Sequence, residues 1–104
     1  MKKNNKILFV CNQGMNRSKT AAEIYKEKYL TKSAGIYNNF QEPNLDWADL
    51  VIVMEEQQRK EIAEKYPKQY LKKKILCLNI QDIYQYMQKE LVEEIKNKIK
   101  KEKI

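Results

Sequence analysis

A chain of 104 residues, 42% hydrophobic and with only two Gly and two Pro, has room for one modest core. That excludes fibrous, low-complexity and two-domain arrangements, and one domain over residues 1–104 is expected. No apolar run approaches the roughly 20 residues needed to span a bilayer, so no membrane segment is expected and a soluble, cytoplasmic protein is the default. The formal charge of +7 rests on 21 basic residues, of which only Arg17 and Arg59 are arginines. They are dispersed except at residues 72–74 and in the tail at 96–103. Such a pattern lacks the interleaved arginines and aromatics of a nucleic-acid footprint and argues against that partner.

In chain order, residues 6–10 (KILFV) form a short apolar run suited to a central parallel strand. From Ser18 the pattern changes to a helix with Ala21, Ala22, Ile24, Tyr25 and Tyr29 mostly on one side, capped by Ser18 or Thr20. Residues 33–36 suit a short second strand. Residues 37–46, with Gln41, Glu42 and Pro43, read as a surface connection. A buried strand follows at 49–54 (DLVIVM). Next comes a helix at 55–66 that turns Ile62, Ala63 and Tyr66 inward and is ended by Pro67. Residues 74–78 (KILCL) repeat the first strand's pattern, and after 79–87 a last helix spaces Leu91, Ile95 and Ile99 four apart. This alternation predicts an α/β three-layer sandwich with a four-stranded parallel sheet, its ligand site at the carboxyl ends of the strands. Cys11 and Asp82 both fall at such ends.

Residues 11–18, CNQGMNRS, join the first strand to the first helix. A turn of this length can curl its N–H groups inward and add the positive end of the helix, making a nest for three or four oxygens. Asn12, Gln13, Gly14, Met15, Asn16, Arg17 and Ser18 are its candidate phosphate-binding members. Arg17 can grip two oxygens with its planar fork. The donors and positive charge of such a nest favour a thiolate over a thiol, which makes Cys11 a candidate nucleophile. Gly14 permits a left-handed backbone in the turn. The chain has no histidine, so a proton donor must be a carboxylate, lysine, tyrosine or thiol. With no histidine and no CxxC, no metal or other cofactor is expected. Cys11 and Cys77, each in an apolar run, do not read as a disulfide scaffold.

These residues resemble the low-molecular-weight protein tyrosine phosphatase family, whose phosphate-binding loop is Cys, five residues, Arg, then Ser or Thr. The resemblance continues in TAAEIY, in SAG at 33–35, in WADLVIVME at 47–55 and in QDIYQYM at 81–87, and is strongest to a compact branch of the family. It implies metal-independent hydrolysis of phosphotyrosine or a similar aryl phosphate through a cysteinyl-phosphate, releasing inorganic phosphate. Cys11 would be the nucleophile, Arg17 the phosphate clamp, Ser18 the support of the thiolate and Asp82 the general acid. Tyr84 and Tyr86 would form a rim for the aryl group. The substrate would be a phosphorylated protein or a small aryl phosphate.

Three positions depart from the family's pattern. Gly14 stands where an asparagine steadies the loop, leaving Asn12 or Asn16 to supply those bonds. Asn16 stands where many members carry a second cysteine, and Ile83 stands where the larger enzymes have proline after the acid. Three other functions share parts of the pattern. A phosphocarrier resembling the IIB component of a sugar phosphotransferase system places a cysteine at the same strand end but needs no Asp82. An arsenate reductase needs a further thiol to resolve its adduct. A phosphotyrosine-binding module would bind without turnover.

Overall fold

The computed structural model describes residues 5–102 and 104; Lys103, in the expected basic tail, lies outside the described residues. The elements are β1 (Lys6–Cys11), α1 (Arg17–Tyr25), β2 (Leu30–Gly35), α2 (Glu42–Trp47), β3 (Leu50–Val53), α3 (Glu56–Lys65), α4 (Pro67–Lys72), β4 (Lys74–Cys77) and α5 (Lys89–Lys101). The four strands are parallel, in the order β2-β1-β3-β4. Val10 lies opposite both Ala34 and Val53, and Val53 opposite Cys77.

Alternation along β1 and β3 divides the interior into two layers. Ile7, Phe9, Cys11, Leu50 and Ile52 face one side, where Ala21 of α1 and Leu91, Ile95 and Ile99 of α5 cover them. Leu8, Val10, Val51 and Val53 face the other, under Leu45 of α2 and Ile62 of α3. The two central strands are therefore apolar at nearly every position because both of their faces are buried. α5 is held by the spacing of its three buried residues, each contributing on the order of 1.5–3 kcal/mol through burial of one apolar stripe. The strand order places β1 between β2 and β3, so the chain leaves β1 in one direction and later returns to its other side. That reversal opens a crevice at the carboxyl end of β1, where ligands of open α/β sheets bind.

Several expected boundaries shift. β2 begins at Leu30, three residues earlier than its hydropathy indicates, because it is an edge strand whose first residues are exposed or half-buried. The surface connection at 37–46 runs into α2, a six-residue helix with Pro43 in its first turn and Leu45 as its buried contact. Pro67 ends α3 and also opens α4, since its ring is tolerated at a helix start. α1 starts at Arg17, and neither Ser18 nor Thr20 caps it. The N-cap position is Asn16, which makes no side-chain cap hydrogen bond. Both expected capping hydroxyls are used at the site described below.

The entries of β1 and β3 are tied by Asp49, whose Oδ2 accepts the Lys6 N–H at 2.9 Å and the Asn5 side-chain amide at 3.4 Å. The Lys6 N–H, followed by the Asn5 amide, holds the Asp49 carboxyl below its ordinary value. A carboxyl depressed in the folded state stabilises the fold above its unfolded pKa of about 4 and loses that contribution as pH falls through the folded pKa. Asp49→Asn is therefore expected to lower the urea midpoint at neutral pH. The gap from wild type should close on acidification below about pH 4, and a gap constant from pH 7 to 3 would contradict the assignment.

Candidate functional site

β1 delivers Cys11 to the crevice, and residues 12–16 turn back over it before α1 begins. Gly14 has φ +73°, the left-handed conformation that glycine adopts without a steric cost. That turn brings the Gly14 N–H to 3.2 Å from Cys11 Sγ. The Ser18 hydroxyl lies 3.1 Å from the same sulfur and 3.4 Å from the Ala34 carbonyl, so it can donate to either. Cys11 is buried in the first core layer with only its sulfur end reaching the loop. Because Asn16 leaves the helix start uncapped by a side chain, the first-turn N–H groups of α1 are not consumed by a cap.

Close backbone contact seats the loop. A Cβ on Gly14 would come 2.7 Å from Gly35 N, and one on Gly35 would come 2.3 Å from the Gln13 carbonyl carbon. Two facing glycines thus let the loop lie directly on the end of β2. Asn38 adds a bond from its Nδ2 to the Gln13 carbonyl at 3.0 Å. Asn12 ties the loop to α3. Its Oδ1 accepts Gln58 Nε2 at 2.8 Å, while Gln58 Oε1 accepts the N–H groups of Met54 and Glu55, both at 2.8 Å. Gln58 is completely buried, so its carboxamide fixes the loop to the start of α3 without competition from water.

Arg17 is 1% exposed. Its Nη1 donates to Glu55 Oε1 at 2.5 Å and to the Ile80 carbonyl at 2.7 Å. Nε makes no hydrogen bond, and Asp82 Oδ1 lies 3.7 Å from it. With Nη1 occupied by Glu55 and Ile80, the Nε side of the guanidinium faces Asp82. Cys11, Gln13, Met15, Asn16, Arg17 and Asp82 line a single cleft of about 140 Å3.

Asp82 sits on the segment between β4 and α5, which is pinned at both ends. Arg17 holds the Ile80 carbonyl, and Thr20 Oγ1 accepts the Met87 N–H at 2.8 Å. A proline after Asp82 is therefore not the only way to hold the segment. Ile83 is exposed there, beside Tyr86, whose ring carries Lys19 Nζ 5.1 Å from its centroid. Tyr84 points elsewhere: its hydroxyl donates to Glu94 Oε1 at 2.7 Å, a bond that raises its pKa, and its ring packs on the first core layer. Cys77 belongs with the second layer, on the opposite face of the sheet from Cys11, and burial pushes its thiol above the ordinary value. Arg59 pairs with Glu56 on α3.

Glu55, Gln58 and Gly35 take part in this arrangement without having been singled out as site residues in the sequence, and Thr20 does so although its expected role was that of a helix cap. The Glu55…Gln58 spacing of a capping box, formed here by both side chains, was the available signal for two of them.

The three-dimensional arrangement has clear counterparts among solved structures. The arginine phosphatase YwlE from Geobacillus stearothermophilus superposes with a TM-score of 0.69 at 22% identity, covering 95% of each chain. A low-molecular-weight protein tyrosine phosphatase from T. tengcongensis gives 0.70 at 19%, covering 97% of this chain and 100% of that one. The tyrosine phosphatase Wzb from Escherichia coli K30, in complex with phosphate, gives 0.73 at 17%, covering 97% and 99%. The chain has the low-molecular-weight protein tyrosine phosphatase fold. No protein-family model and no curated protein matches it.

The contact between Gly14 and Gly35 can be tested by itself. Gly35→Ala is expected to destabilise the fold by about 1–3 kcal/mol in urea unfolding, because backbone atoms of the loop and not a flexible side chain must move. Unchanged stability would mean that the loop does not rest on β2.

Proposed function

We propose that this protein hydrolyses phosphotyrosine or similar aryl phosphate monoesters through a cysteinyl-phosphate intermediate. One observation carries the reading: the Cys11 sulfur, the Arg17 guanidinium and the Asp82 carboxylate line the same small cleft. Cys11 attacks phosphorus as a thiolate, forming the S–P bond while the bond to the phenolic oxygen breaks. Arg17 Nε and Nη2, with the loop N–H groups, hold the equatorial oxygens as charge redistributes over them. Asp82 donates its proton to the departing phenolic oxygen. The resulting carboxylate then takes a proton from water as that water attacks phosphorus and Cys11 leaves as thiolate. Ser18 supports the sulfur in both steps by turning its hydroxyl from Ala34 toward it.

The mouth of the cleft favours an aryl ester. Met15 lines it and is 63% exposed, and Ile83 and Tyr86 stand exposed on the segment that carries Asp82. Met15 offers an apolar surface to a phenyl ring at the cleft, while Ile83 and Tyr86 are exposed on the segment of Asp82 without lining the cleft. Of the solved structures with this fold, two bear the name arginine phosphatase, a third is a YwlE mutant, and others bear the name tyrosine phosphatase. The apolar mouth is the reason for assigning this chain to the last of these groups. A phosphocarrier has no use for Asp82 beside the clamp. Arsenate reduction would need a second thiol at Cys11, and Cys77 lies across the sheet from it. No helix among the described residues is long and apolar enough to cross a membrane, and both cysteines are free. A reducing cytoplasm suits an enzyme that depends on a free thiol.

Steady-state hydrolysis tests this directly. Wild type should release phosphate from phosphotyrosine in preference to phosphoarginine. Asp82→Asn should lower kcat by about 10²–10⁴-fold while KM changes little. Equal losses of binding and turnover in Asp82→Asn would make Asp82 structural, and preference for phosphoarginine would move the substrate to the other class.

A further inference from the structure

Beside the cleft, on the far side of Gln13 and Gly14, lies a second groove of about 260 Å3. Its lining is Gln13, Gly14, the end of β2 from Ser33 to Gly35, and Asn38, Asn39, Gln41 and Asn44. It contains no charged residue, although the chain as a whole carries +7. Gln13 lines both the groove and the cleft, so the two are continuous over one residue.

One wall of the groove is the free edge of the sheet. β2 forms its ladder with β1, and on its other edge, among the described residues, Gly35 alone is bridged, its carbonyl accepting the Asn38 N–H at 3.1 Å. The N–H groups of Leu30 and Ile36 point to β1, donating to the Asn5 and Cys11 carbonyls. By the two-residue alternation of a strand, the N–H and C=O of Ser33 point away from β1 into the groove. The facing wall supplies carboxamides. Asn38 and Gln41 use their NH2 groups on Gln13 and Asn39, leaving their side-chain carbonyls to accept. The outward N–H and C=O of Ser33, a donor and acceptor pair on one strand residue beside neutral carboxamides, match one residue of an extended peptide backbone better than a charged ligand.

We propose that this groove binds the main chain of a phosphorylated peptide, in extended form against the edge of β2, so that its phosphotyrosine enters the cleft past Gln13. The inference rests on the phosphatase reading and names its substrate as phosphorylated protein, recognised through backbone and not through flanking side-chain charge.

The test measures binding, so it is independent of turnover. Cys11→Ser protein would be titrated with phenyl phosphate, with an alanine-flanked phosphotyrosine peptide, and with the same peptide N-methylated at the amides flanking the phosphotyrosine. The plain peptide should bind at least about tenfold more tightly than phenyl phosphate, the equivalent of one or two net backbone hydrogen bonds. N-methylation should erase that difference. Ser33→Pro, tolerated on an edge strand because the lost N–H is outside the ladder, should weaken the peptide more than phenyl phosphate. Equal affinity of plain and N-methylated peptides would overturn the groove assignment, and the N-methylated arm decides even if Ser33→Pro does not fold. Failure of the wild type to release phosphate from phenyl phosphate would instead count against the phosphatase reading alone.

Discussion

The carboxyl end of this sheet is organised by one buried guanidinium. A charge as enclosed as that of Arg17 is tolerated only with partners, because desolvation costs several kcal/mol that poor geometry cannot return. From the start of α1 Arg17 draws partners from two other connections: Glu55 at the start of α3, and Ile80 and Asp82 after β4. The strands deliver these segments to one place, but the guanidinium gives them a common orientation. It donates hydrogen bonds through Nη1 and turns Nε toward Asp82 without a hydrogen bond. In the proposed reading the same placement that knits the loops together also serves to hold phosphate.

The loop over Cys11 is held in a different manner, by absence of side chain on one side and a buried carboxamide on the other. Gly14 and Gly35 let two backbones touch, and Gln58 reaches across from α3 to fix Asn12. The loop thus keeps a left-handed turn at Gly14 by steric permission, and Asn12 anchors it to α3. The segment that carries Asp82 uses a similar economy: a carbonyl at one end and an N–H at the other are tied to α1, which fixes its course while Ile83 and Tyr86 stand exposed between them.

Much of this was readable in the amino-acid order, for physical reasons that differ by element. The runs KILFV and LVIV announce strands buried on both faces, and the four-residue spacing of Leu91, Ile95 and Ile99 announces a helix with one buried stripe. Leu30 to Lys32 were silent because an edge strand exposes residues that hydropathy assigns to loops, and α2 and α4 because six residues are too few to establish a period. Cys11, Arg17 and Asp82 stood out because their chemistry is tied to strand ends and to a fixed local spacing. Ser18 and Thr20 were misread as helix caps since the sequence shows a hydroxyl at the right place but not the sulfur or distant N–H that claims it. Gln58 and Glu55 act on residues 46 and 38 positions away, and no local pattern records such a reach.

The account stands on Cys11 as the atom that takes the phosphoryl group. It is met most directly by acid-quenching wild-type protein during turnover of phosphotyrosine, then measuring intact mass and mapping the modified peptide. The expected result is one added phosphoryl group on the peptide containing Cys11, absent from Cys11→Ser, which should also release no phosphate. Undiminished turnover by Cys11→Ser, or a phosphoryl group carried on any other residue, would contradict it.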